Sequence, residues 1–167
     1  VDWKAWHLAK TGERSGSVML KSAEASVNEG MLAGGKFVLD LANLTVSNFG
    51  EDTAQNEKLR GHLVSGDFFL TDSFPTATFE ITSVDTTSGD YNAKVSGNLT
   101  IKGATKNITF MAKVNVTEDA LSLSSESFEV DRSDWGLTYH AEGSEGVPTD
   151  YLISDEIEFT IHANVTK

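Results

Sequence analysis

Cysteine is absent from the 167 residues. That excludes thiol catalysis, thiolate metal sites and disulfides. It leaves the compartment open, because a chain of this length buries enough surface to fold without covalent staples. Basic residues are also scarce, with 13 Lys and Arg against 25 Asp and Glu and a formal charge of −12. Phosphate binding needs a positive footprint, so nucleic acid is a poor partner, and an anionic membrane surface repels the average face. No apolar run approaches the roughly 18 residues needed to span a bilayer as a helix. No signal peptide is visible, and Val1-Asp2-Trp3 reads either as a terminus left by cleavage or as a trimmed start. G-x-S-x-G, P-loop and H-E-x-x-H patterns are missing, so no catalytic residue is assigned. His7, His62, His140 and His162 lie at no paired ligand spacing, and no metal site is expected.

What the chain does have is alternation. In DEIEFTIHANV, Ile157, Phe159, Ile161 and Ala163 share one face, and Glu156, Glu158, Thr160 and His162 the other. This period of two marks a strand with one wet side. Ile108, Phe110, Ala112, Val114 and Val116 repeat the pattern in NITFMAKVNV, as do Ala77, Phe79 and Ile81 in TATFEITSV. Shorter runs carry Phe37, Leu39 and Leu41, then Leu99 and Ile101, then Phe128 and Val130. Turn signals at Ser88–Asp90, Lys102–Asn107 and Thr117–Asp119 leave connections too short for parallel crossovers, which implies antiparallel hairpins.

One segment departs from this rhythm. Asp52 with Gln55 three residues later reads as a capping box, and Leu59, His62 and Leu63 recur at helical spacing. A helix is expected over residues 53–65, with Gly66 as its stop. Ser22–Leu32 has weaker helical character and is read as extended structure with a turn. The expected fold class is all-β in a single domain covering 1–167. Many antiparallel strands must stack as a sandwich or close into a barrel, and about eight leave an interior that side chains fill or that holds one small ligand.

The segments KLRGHLVSGDFFLTDSFPTATFEIT, VSGNLTIKGATKNITFMAKV, FEVDRSDWGLTY and DEIEFTIHANV, in that order, resemble the YceI-like family of bacterial polyisoprenoid-binding proteins. The opening VDWKAWHLAKTGERSGSV departs from the Asp-Pro-xx-Ser segment on which the family often begins. The resemblance implies an extended, lipocalin-like antiparallel barrel of eight strands. It implies an apolar channel for the tail of an isoprenoid quinone, a polyprenyl phosphate or a fatty-acid-like lipid. It also implies a periplasmic location, and a homodimer is in keeping with the family's habits.

Strands of about ten residues would enclose a tube on the order of 30 Å long. The positions expected to line it are Phe37, Leu39, Phe79, Ile81, Leu99, Ile101, Ile108, Phe110, Phe128, Val130, Ile157, Phe159 and Ile161. Between helix and next strand, HLVSGDFFLTDSFPTATF gathers four Phe around Pro75. Leu59, Leu63, Phe68, Phe69 and Phe74 are expected either to border the tube's mouth or to plug the helix against the barrel. Trp135, in DRSDWGLTYHAE, reads as a stacked ring at a strand-end turn; as a calcium loop that segment fails, because Trp135 stands where an oxygen ligand is wanted. N-x-T triplets begin at Asn43, Asn98, Asn107, Asn115 and Asn164 and are attributed to chance in a Thr-rich strand protein. Two other functions stay open: a lipocalin-fold enzyme on a small hydrophobic substrate, and a stress-response protein whose cavity is filled by its own side chains.

Overall fold

The alternation translates into strands almost throughout. The computed structural model describes residues 1–166, with the side chain of Ala9 left out. Strand β1 spans Asp2–His7, β2 Thr11–Ser17, β3 Leu20–Asn28, β4 Met31–Asp40 and β5 Thr45–Val46. Helix α1, Thr53–Val64, precedes β6 Thr76–Thr86, β7 Ala93–Ile101, β8 Ala104–Val116, β9 Ala120–Ser125, β10 Phe128–Asp131, β11 Glu156–Thr160 and β12 His162–Thr166. One sheet runs β10-β11-β1-β2-β5 and the other β12-β9-β8-β7-β6-β4-β3. The two are joined where chain paths bend from one into the other: β2 into β3, β4 into β5, β9 into β10 and β11 into β12. Merging those four pairs leaves eight strand paths, each antiparallel to the next, in a nearly closed barrel.

β1 joins β2 to β11 along the half of the barrel nearer the 3₁₀ turn Leu8–Lys10. Along the other half, β3 and β12 are the two ends of the larger sheet.

Two tight hairpins show local chemistry setting register. Lys102 and Gly103 both take positive φ (52° and 79°) between the paired Ile101 and Ala104. Glu29 and Gly30 do the same (51° and 78°) between Asn28 and Met31. Two central residues with positive φ make the hairpin turn whose twist matches the strands. The second turn also confirms extended structure, not helix, over residues 22–32.

Helix α1 begins as its sequence predicts, with Asp52 accepting a bond from the Gln55 N–H (3.1 Å). Its end differs. The chain leaves the helix at Ser65, which is extended and donates both its N–H and its hydroxyl to the His62 carbonyl. Gly66 is not the stop, because Ser65 already satisfies the last turn without a left-handed residue. The helix lies on the surface with no fully buried residue, anchored by Arg60, which donates to the carbonyls of Leu44 (3.1 Å) and Ala42 (2.7 Å).

Candidate functional site

Inside the barrel, the inward faces divide the interior into three levels. At the waist stand aromatic rings. Phe79 and Phe110 are 5.7 Å apart, Phe110 and Phe128 stack at 4.9 Å, and Phe128 and Phe159 follow at 6.1 Å. Phe37 pairs in register with Phe79, and Trp3 with Phe159. Glycines beside the rings make this possible. A Cβ on Gly97 of β7 would lie 2.4 Å from the Phe79 ring, so that ring crosses β7 to reach Phe110 on β8. A Cβ on Gly35 would stand 3.1 Å from the Phe37 ring, and one on Gly16 2.8 Å from the Trp3 ring. Phe37, Phe79 and Phe110 retain 9%, 9% and 3% exposure, leaving little surface against solvent or void.

Beyond the waist, toward the β3–β4 and β8–β9 turns, the inward residues become small. A cavity of ≈ 680 Å³ opens there. Ala23, Ala25 and Val27 of β3, Gly35 of β4 and Ile81 of β6 form one wall; Val116, Leu121 and Val165 of β8, β9 and β12 form the other. Glu24, Lys36 and Glu80 also border it, and these three sit opposite one another in the β3–β4–β6 ladders. The cavity is therefore an open slot of mixed character, with apolar and charged side chains on the same three strands.

The opposite end is shut. Leu63 and Phe69 pack on the core, and Phe74 lies against the Lys102–Gly103 turn, where a Cβ on Gly103 would meet its ring at 3.6 Å. Buried Trp135 donates its indole N–H to the Leu99 carbonyl at 2.9 Å. Arg132, 3% exposed, holds the long segment before β11: it donates to the carbonyls of Ser154, Leu137, Tyr139 and Ile153 and pairs with Asp155 at 3.1 Å. Burial lowers its pKa from the ordinary arginine value, while Asp155, Asp131 and Glu142 raise it again. Phe68 stands apart from the main core, under an edge-on pair of His62 and Tyr139 (5.2 and 5.3 Å), with His62 bonded to Asp67 at 3.0 Å. Among the described residues, no group of three His, Cys, Asp or Glu is placed to hold a metal ion.

The model of the YceI-like domain family matches residues 1–165. The chain belongs to the YceI-like family. Among curated relatives, this YceI-like chain is 43% identical over 75 residues to a UPF0312 protein of Pseudomonas aeruginosa, covering 45% of this chain and 38% of that protein. It is 39% identical over 75 residues to the YceI protein of Escherichia coli, again 45% and 38%. A UPF0312 protein of Pseudomonas putida is 33% identical over 121 residues, 69% of this chain and 56% of that one. The matches thus span well under two thirds of the curated relatives. Among solved structures, Burkholderia cenocepacia BcnA superposes with a TM-score of 0.70 at 18% identity, over 99% of this chain and 94% of BcnA. A polyisoprenoid binding domain from Saccharophagus degradans, implicated in plant cell wall breakdown, gives 0.63 at 14% identity over 98% and 90%. At these identities the structures speak to the fold.

In the YceI-like barrel, the residues expected to line a channel belong to the hydrophobic interior, fully or partly buried. Phe37, Phe79, Leu99, Ile101, Phe110 and Trp135 are buried core. Leu39, Leu63, Phe69, Ile108, Phe128, Val130, Ile157, Phe159 and Ile161 pack partly buried against it, and Phe68 is buried in its own cluster. Ile81 alone of the expected set borders the open slot. The aromatic side chains touch their neighbours around the barrel wall, and the slot opens beyond them toward the β3–β4 turn. The other slot residues, such as Ala25, Val116, Leu121 and Val165, continue the same alternations toward the hairpin ends. Their small size is the signal that could have identified them, since small inward residues leave space where large ones fill it.

Proposed function

We propose that this protein binds the apolar tail of an isoprenoid or similar long-chain amphiphile, without chemistry, in the slot between β3 and β12. The observation that carries the reading is the open ≈ 680 Å³ cavity at the seam, whose Ala, Val, Leu and Ile side chains stand beside Glu24, Ser26, Lys36, Glu80 and Thr166. That volume lies within the about 300–1,000 Å³ of small-molecule sites. Apolar walls favour a hydrocarbon tail at about 0.8 kcal/mol per buried CH₂. Glu24, Lys36 and Glu80 at the border offer polar partners for a head group. The polyisoprenoid binding attributed to the Saccharophagus domain supports the same ligand class. In this reading the protein stores or carries the lipid outside the cytoplasm.

Native mass spectrometry of protein purified gently from cells tests this. A co-purifying species with the mass of a lipid, lost when Ala25 is replaced by Phe, supports tail binding; the same spectra report how many copies associate. Ligand-free protein that also fails to bind added prenyl alcohols would leave the self-filled barrel as the better reading.

A further inference from the structure

Resting on that reading of the slot, we infer that the distal half of the β3–β4 hairpin, residues 25–35, is a flap that swings in over a tail bound in the slot. The ladder between β4 and β6 runs only from the Lys36–Glu80 pair to the Asp40–Thr76 pair. From Gly35 back to Met31, β4 pairs with β3 alone, while β6 continues to Thr86 beside β7. β3 ends its sheet, so its other edge is unpaired as well. The tip of the hairpin is thus held in the sheet only through its own stem.

Two features that let a strand bend coincide where that ladder stops. Gly34 and Gly35 stand side by side in β4, and glycine inside a strand loosens it and permits a tight bend. Ala33 is an extra residue, since Ser26 pairs with Gly34 and Val27 with Leu32, and such a bulge kinks its strand. Buried Leu32 roots the flap in the core and serves as its pivot. At the tip, the Thr86 hydroxyl donates to the Met31 sulfur at 3.7 Å, which holds the flap toward β6 and away from the far wall of the slot. Val27 lines the slot and is 39% exposed in this arrangement. A tail in the slot supplies the missing partner. The closed flap covers it with Ala25 and Val27, and a ligand that makes extra contacts in one state shifts the hinge toward that state.

The chain has no cysteine, so paired labels can be placed cleanly. Spin labels on Asn28→Cys at the flap tip and Glu118→Cys in the β8–β9 turn, both exposed, report the gap across the slot by double electron–electron resonance. Adding geranylgeraniol is expected to shorten the mean distance by several ångströms and to narrow its distribution. A second variant, Met31→Cys with Thr86→Cys bridged by a reducible bis-maleimide, pins the flap to β6. Its affinity for geranylgeraniol should fall about tenfold and return on reduction, because the closed state is no longer reached. Binding with an unchanged or longer tip distance, or with equal affinity in the bridged and reduced protein, would overturn the flap and leave tail binding intact. Failure of geranylgeraniol to bind the unmodified protein, read by native mass spectrometry, removes the tail-binding reading and the flap together.

Discussion

Replacing Gly97 by Ala should loosen the waist of the barrel. A Cβ there would lie 2.4 and 2.6 Å from two atoms of the Phe79 ring, and 2.7 Å from the Glu80 carbonyl oxygen. The ring can swing, but the carbonyl belongs to the strand paired with β7 and moves only if the ladder moves. Overpacking of this kind costs about 1–3 kcal/mol. Restricting the unfolded chain returns about 0.4–1 kcal/mol. The net expectation is a loss of about 1–2 kcal/mol, or about 2–8 °C in Tm for a domain of this size. Gly34→Ala is the matched control, because its added Cβ meets only the Ser26 hydroxyl, at 3.0 Å; it should fall within about 0.5 kcal/mol of the parent. Thermal and guanidinium unfolding followed by circular dichroism measure both. Equal stability of Gly97→Ala and the parent, or equal damage from the two variants, would refute the claim that Phe79 needs a bare strand to lie on.

Arg132→Ala removes the one cation that gathers four carbonyls and Asp155, and should cost about 3–5 kcal/mol by denaturant midpoint. Arg132→Lys should recover less than half of that, since a point ammonium cannot reproduce the fork; full recovery would contradict the account. Asp40 is held below its ordinary pKa of 3.8, chiefly by the Asn43 side-chain amide at 2.9 Å. Its folded pKa is depressed, so its contribution is fully present above the ordinary value and is lost as pH falls through the folded one. The stability gap between the parent and Asn43→Ala should therefore narrow on acidification; a gap independent of pH in unfolding titrations would refute this.

Strand faces and turns were legible because their causes are local. The alternation through Ile157–Ala163 and Ile108–Val116 is a geometric property of extended chain, and Lys102-Gly103 carries its turn in two residues. The Asp52 cap is equally local. The bends at Val18–Met19, Glu126–Ser127 and Ile161, which pass strands between sheets, have no such signature. Nor does the seam, where β3 and β12 run on past Asp2 without a strand between them. For the site, alternation identified which residues point inward but not which of them meet. That depends on partners far along the chain: Phe79 reaches Phe110 because Gly97 intervenes. The aromatic cluster after α1 belongs to the closed end for the same reason, since only the fold places Phe74 against the Gly103 turn.

A crystal structure of protein isolated from cells with its ligand in place would bear most directly on where the tail lies. Continuous density should thread between β3 and β12 and contact Ala25, Ile81, Val116, Leu121 and Val165. An empty slot with the lipid bound elsewhere, or a seam zipped shut by hydrogen bonds between β3 and β12, would contradict the account.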